Sequence, residues 1–167
     1  TFYPYASYLW ARGYAFVVAD ARGSGASFGY REGELASAEV KDIGEIIDWV
    51  AQQSWCDGRV ATIGTSYTAD STMCSLASTS TALKLGVCRA PDFDVYRHLF
   101  APGGIINTSF VEIWGDSTAA QDANDAKALL AGGQRKIPPG GSENLLGVRP
   151  VDDDADSVLL AAAVAEH

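Results

Sequence analysis

Basic side chains are in short supply in this chain. Lys and Arg number 12 against 21 Asp and Glu over 167 residues, a formal net charge of -9. Most of such a surface repels polyanions, which argues against sequence-independent binding to nucleic acid or to an anionic membrane. Cysteine is scarce too. Cys56, Cys74 and Cys88 are odd in number and widely spaced, so they fit neither a disulfide framework nor a CxxC metal site. They read as partly buried free thiols, because unpaired Cys behaves as a small hydrophobe. Long apolar runs are missing, with none approaching the roughly 18 residues a transmembrane helix requires. Internal repeats and dominant low-complexity tracts are absent as well. Histidine is confined to His98 and the terminal His167.

What is present is an apolar fraction of 47%, too high for a disordered chain. The length suits one domain, or one domain and part of another, with a real core. The chain starts at Thr1, runs at once into the helix-like Tyr3-Pro4-Tyr5-Ala6-Ser7-Tyr8-Leu9-Trp10, and ends within a strongly helical stretch, 158–167, that has no glycine cap. Both ends read as cut.

Residues 14–20 (Tyr-Ala-Phe-Val-Val-Ala-Asp) are apolar at nearly every position, which predicts a strand buried on both faces. Glycines 23, 25, 29 and 33 make residues 21–33 a loop. Between about Ser37 and Gln53, Val40, Ile43, Ile46, Ile47 and Val50 recur at helical spacing. Residues 59–64 predict a second strand, 67–78 a second helix and 83–88 a third strand. Strands alternating with helices predict an α/β fold, a mostly parallel sheet flanked by helices. After about Pro91 the pattern turns helical, around 95–100, 107–114 and 119–130. A Pro/Gly linker at 137–141 and a helix from about Asp153 follow. The division expected is 1–92 as a core segment and 93–167 as a helical cap or insertion.

Arg59-Val60-Ala61-Thr62-Ile63-Gly64-Thr65-Ser66-Tyr67-Thr68-Ala69 carries the chemistry. A buried strand runs into glycine, then serine, then a helix, which is the setting of a G-x-S-x-G nucleophile elbow. Such a turn lifts the serine hydroxyl above the sheet edge. It also aims the next residue's N–H, at the positive end of the helix dipole, at a developing oxyanion. The candidate nucleophile is Ser66 and the candidate oxyanion donor is the backbone N–H of Tyr67. Thr68 stands where that pattern has its second glycine, and the competing role for Ser66 is to cap the following helix.

Three linked segments bear on that choice. The loop Asp20-Ala21-Arg22-Gly23-Ser24-Gly25-Ala26-Ser27-Phe28-Gly29, the turn Trp55-Cys56-Asp57-Gly58 and Gly64-Thr65-Ser66-Tyr67 occur in one order and at one spacing. In these motifs the chain resembles the Xaa-Pro dipeptidyl-peptidase-like family (peptidase family S15, cocaine esterase and the α-amino acid ester hydrolases). The resemblance implies a partial α/β-hydrolase core followed by the start of a helical cap. It also implies hydrolysis of a small ester, an amide or a short peptide through an acyl-serine, with Ser66 and Tyr67 in the roles given above. It implies no metal and no organic cofactor, and the net charge of -9 leaves nucleic acid and membrane out as partners. In this family a glycine usually stands at the position of Ala69. A tyrosine hydroxyl upstream is the second oxyanion donor, and Pro4-Tyr5 lies too near Gly13 to supply it. The triad Asp and His follow the cap, which puts them beyond His167. The fragment alone is then expected to be inactive.

The remaining candidates have structural readings. His98 sits too early for the family's base and reads as a surface or cap-packing residue. The acidic run Asp152-Asp153-Asp154 with Asp156 lacks the glycine and closing glutamate of an EF-hand loop, and reads as charge at a helix start. Phe28 breaks G-x-G-x-x-G and no Lys-Ser/Thr follows, so the glycine loop is no phosphate cradle; Asp20 and Arg22 read as braces of the loop beside the elbow rather than as substrate contacts. A non-catalytic α/β module that works by binding is the alternative, with Thr68 and Ala69 in its favour.

Overall fold

In the computed structural model, residues 5–123 apart from Ala26 are described, together with Asp125, Ala128, Val158, Ala161, Ala162 and Ala165. The linker at 137–141, the acidic run at 152–156, Tyr3, Pro4 and His167 lie outside the described residues, as does most of the helix expected from about Asp153. The elements are α1 (Ala6–Trp10), α2 (Ser37–Ala51), β1 (Val60–Thr65), α3 (Tyr67–Leu76), β2 (Leu83–Arg89) and α4 (Thr108–Asp122). A single π-helical turn, Tyr96–Phe100, precedes α4. The chain divides into two compact units. One is Thr1–Ala19 with Ser37–Pro91, the other Asp20–Ala36 with Asp92–His167.

The first unit is built on a β-α-β crossover. β1 and β2 pair in parallel, Ala61 opposite Leu85, Ile63 opposite Val87 and Thr65 opposite Arg89. Parallel neighbours need a crossover, and α3 supplies it. The helix lies on the sheet face that carries Thr62, Gly64 and Gly86, where small side chains let it come close. Thr62 Oγ1 and Ser75 Oγ are 2.8 Å apart, and the Ser75 hydroxyl also reaches the Thr72 carbonyl at 2.6 Å. That satisfies a fully buried polar side chain, which would otherwise cost about 1–3 kcal/mol. A Cβ on Gly86 would stand 2.9 Å from a methyl of Leu76. α2 buries Ile47 and Val50 from its predicted apolar stripe, and at Gly44 it comes against Ser78, just past α3.

The run 14–20 departs from expectation. It forms no strand, and only Phe16 is half-buried, edge-on to Tyr5 with ring centres 6.3 Å apart. Propensity does not make a strand; a neighbour's ladder of hydrogen bonds does. Among the described residues the sheet consists of β1 and β2 alone.

In the second unit, the described residues of 20–36 form neither helix nor strand, as the glycines of 21–33 predict. Gly23 has a φ of +61°, and a Cβ there would sit 2.9 Å from both the Arg31 N and the Gly29 carbonyl oxygen. Ser24 Oγ donates to the Ala21 carbonyl and Ser27 Oγ to the Asp20 carbonyl, both at 2.8 Å, so the loop is braced by its own backbone. A terminal nitrogen of Arg31 donates to both carboxylate oxygens of Asp122 at 2.6 and 2.8 Å, and the Trp114 indole donates to Glu34 at 2.8 Å. These bonds tie the loop to α4. The helices expected at 107–114 and 119–130 are one helix through 122. Gly115 between them costs about 1 kcal/mol of propensity, too little to break a helix capped by Asn107, in which Phe110 stacks on Trp114 and meets Phe100 edge-on. Among the described residues no helix is long and apolar enough to cross a membrane.

Candidate active site

The sequence asks the chain to pass from strand to helix in one residue, and Ser66 is that residue. β1 ends at Thr65 and α3 opens at Tyr67, leaving Ser66 at φ 57°, ψ -130°. A non-glycine L-residue in this positive-φ region, which glycine enters freely, costs about 1–3 kcal/mol and persists only where its surroundings fix it. Here they do. The Ser66 N–H donates to the Arg89 carbonyl of β2 at 3.0 Å, and its carbonyl accepts the N–H groups of Ala69 at 2.7 Å and Asp70 at 3.2 Å.

The side chain is a different matter. Ser66 occupies the N-cap position of α3, where serine usually accepts a bond from the second or third helical amide. Its hydroxyl makes no such bond, and the residue is exposed. The helix-capping role is therefore not taken. Tyr67 is half-buried and opens α3, where first-turn amides point out of the helix along the positive end of its dipole. The structure thus puts an exposed serine, its side chain making no cap bond, at the start of a helix.

The departures at 68 and 69 leave that turn intact. The close approach between strand and helix is made by Gly64: a Cβ there would lie 1.9 Å from the Thr68 carbonyl oxygen and 2.6 Å from the Ala69 N. Ala69 is fully buried, so its methyl occupies space the fold provides. Thr68 Oγ1 accepts the Thr65 N–H at 2.8 Å and donates to the Thr65 carbonyl at 2.9 Å. In the elbow pattern Thr68 stands only as a residue in place of the second glycine; in the structure its hydroxyl has two bonds to make. The available signal was a threonine three residues after the end of a strand, the spacing of side-chain-to-backbone turns.

Upstream, the turn that feeds β1 is held by Asp57. Its carboxylate accepts the Arg59 N–H and Nε, both at 3.0 Å, and a terminal guanidinium nitrogen at 2.6 Å, around Gly58 at φ 81°. Bonds from the Arg59 side chain, then from its backbone, hold the Asp57 carboxyl below its ordinary range, and the same pair raises Arg59. All three cysteines are free and half-buried, as read from the sequence. The Cys74 thiol is pushed up, first by burial and then by the negative charges of Glu39 and Asp70. His98 lies exposed in the π-helical turn of the second unit, its N–H on the Asp94 carbonyl at 2.8 Å. Among the described residues no three His, Cys, Asp or Glu side chains form a metal-ligand set.

Residues 3–144 match the X-Pro dipeptidyl-peptidase (S15) family. Two mycobacterial proteins provisionally named serine esterases, from Mycobacterium bovis and Mycobacterium tuberculosis, are each 40% identical over 157 residues, 94% of this chain and 24% of theirs. The cocaine esterase of a Rhodococcus species is 31% identical over 105 residues, 61% of this chain and 18% of its own. The chain thus spans about a quarter or less of the length of these relatives. No solved structure matches it. With most of its length matched, and with the loop, turn and elbow motifs in order, the chain belongs to the X-Pro dipeptidyl-peptidase S15 family.

Proposed function

We propose that this segment carries the nucleophile of a serine hydrolase that cleaves a small ester, an amide or a short peptide. The observation that carries the reading is Ser66: positive φ between β1 and α3, backbone bonded on both sides, the residue exposed and its side chain not spent on the helix cap. A fold that keeps such strain at an exposed serine is supporting a reactive group. Family membership and the esterase names of the relatives support the same reading.

Ser66 Oγ attacks the substrate carbonyl carbon and passes its proton to an imidazole base. The Tyr67 N–H and the α3 dipole stabilise the oxyanion. Collapse expels the alcohol or amine, which takes the proton from the base, and leaves an acyl-serine. Water then attacks the acyl group, giving up its proton to the base, and Ser66 is regenerated. The imidazole and its carboxylate are assigned to the part of the relatives' length that this chain does not span, so the chain alone is inactive. No metal or organic cofactor enters the scheme. The substrate is an ester, an α-amino acid ester or an Xaa-Pro peptide, and the walls of the pocket choose among them.

The test is a fluorophosphonate probe on the full-length protein, read by peptide mass spectrometry. Covalent modification at Ser66 is the expected result. A folded protein left unmodified at Ser66 overturns the reading.

A further inference from the structure

We infer that Thr68 is a positioning residue for Ser66, acting through the backbone of Thr65; the inference rests on Ser66 being the nucleophile. In a strand the N–H and carbonyl of one residue point to the same side, and successive residues alternate. Ser66 turns its N–H toward β2, onto the Arg89 carbonyl. Thr65 therefore directs its N–H and carbonyl to the opposite edge of β1, and there both meet one atom, Thr68 Oγ1, at 2.8 and 2.9 Å.

Only a group that accepts and donates at the same atom can close both bonds, and a hydroxyl is that group. Leucine, valine or alanine at position 68 would leave Thr65 to water. The clamp is itself anchored, since the Thr68 carbonyl accepts the Thr72 hydroxyl at 2.9 Å in the next turn of α3. The residue before the nucleophile is thus tied to the helix after it, and Ser66 is strained between two fixed neighbours. With Thr65 released, the turn can relax toward ordinary dihedrals and carry Oγ away from the substrate carbonyl.

The experiment compares wild-type full-length protein with Thr68→Val, Thr68→Ser and Ser66→Ala. It reads the rate of fluorophosphonate labelling and kcat and KM on p-nitrophenyl acetate, with a thermal melt for folding. Thr68→Val keeps the shape and loses both bonds; labelling and kcat are expected to fall by up to about 100-fold, the cost of a misplacement of about 1 Å, with KM unchanged. Thr68→Ser keeps the hydroxyl and is expected to restore wild-type behaviour, which a purely packing role would not predict. Wild type labelled at Ser66 with Thr68→Val labelled as fast overturns the clamp and leaves the nucleophile standing. Folded wild type unlabelled at Ser66 overturns the nucleophile itself. Should Thr68→Val fail to fold, amide exchange at Thr65 in the wild type decides. Slow exchange is expected, and exchange at the rate of an unstructured peptide overturns the clamp.

Discussion

Gly64 in β1 lies directly against the carbonyl of Thr68 in α3, so close that a methyl group at Gly64 would overlap that oxygen at 1.9 Å. The contact is backbone against backbone, and no rotamer change relieves it. It sets the distance between strand and helix, and hence the span that Ser66 must bridge in a single residue.

Gly64→Ala is therefore expected to cost about 3 kcal/mol or more, at the upper end of overpacking effects. Ala69→Gly tests the complementary point. If position 69 were the site of close approach, glycine there would relieve crowding and stabilise. Its methyl is instead fully buried, so the change should cost about 1 kcal/mol through lost packing and helix propensity. Urea unfolding of the two variants measures both, and a stabilised Ala69→Gly would mean that the strand and helix meet elsewhere.

The Asp57–Arg59 brace predicts a pH dependence at the entry to β1. Held below its ordinary value of 3.8, the Asp57 carboxyl favours the folded state while ionised. Its contribution is present above 3.8 and is lost as pH falls through the lowered folded value. The side chain is exposed, so solvent screens the pair and the effect on stability is small. A carboxyl-detected NMR titration should place the Asp57 midpoint below 3.8. A midpoint at or above that value would show that the bonds from Arg59 are not populated in solution.

Cys74 carries the opposite sign. Burial, then Glu39 and Asp70, raise its thiol above the ordinary 9.0. Below pH 9.0 the group is neutral in both states. Between 9.0 and the raised value the unfolded chain releases its proton first, so folded stability declines with rising pH. Iodoacetamide at pH 8 should modify Cys74 more slowly than it modifies glutathione. Asp70→Asn removes one repelling charge and should speed the reaction. Equal rates for Cys74 and glutathione would remove the basis for the shift.

The parts of the molecule that the sequence revealed are those whose signals are local. The apolar run into Gly64, the periodic stripe of Val40, Ile43, Ile46, Ile47 and Val50 (of which Ile46 is left exposed), and the glycines of 21–33 each specify their own backbone, and β1, α2 and the loop follow. Residues 14–20 carry an equally strong strand signal and form none, because pairing depends on a neighbour that propensity cannot supply. Thr68 was illegible for a related reason. Its hydroxyl matters through two bonds that exist only once strand and helix have met, and a motif written in letters scores it as a missing glycine.

Strain at Ser66 gives the sharpest prediction about the site. At φ 57° and ψ -130° serine sits where glycine is at ease, while its exposed side chain contributes no bond to the helix cap. Ser66→Gly should therefore relieve the strain. Against this, glycine adds freedom to the unfolded chain worth about 0.4–1 kcal/mol, while the strain itself is about 1–3 kcal/mol. The expected net effect is a gain of about 1 kcal/mol, with loss of hydrolysis and of fluorophosphonate labelling. Stability bought by deleting the reactive group is the pattern of a residue retained for chemistry. Chemical denaturation of Ser66→Gly beside wild type measures it. A variant less stable than wild type would mean that the hydroxyl supports the fold, and Ser66 would then be better read as a structural turn residue.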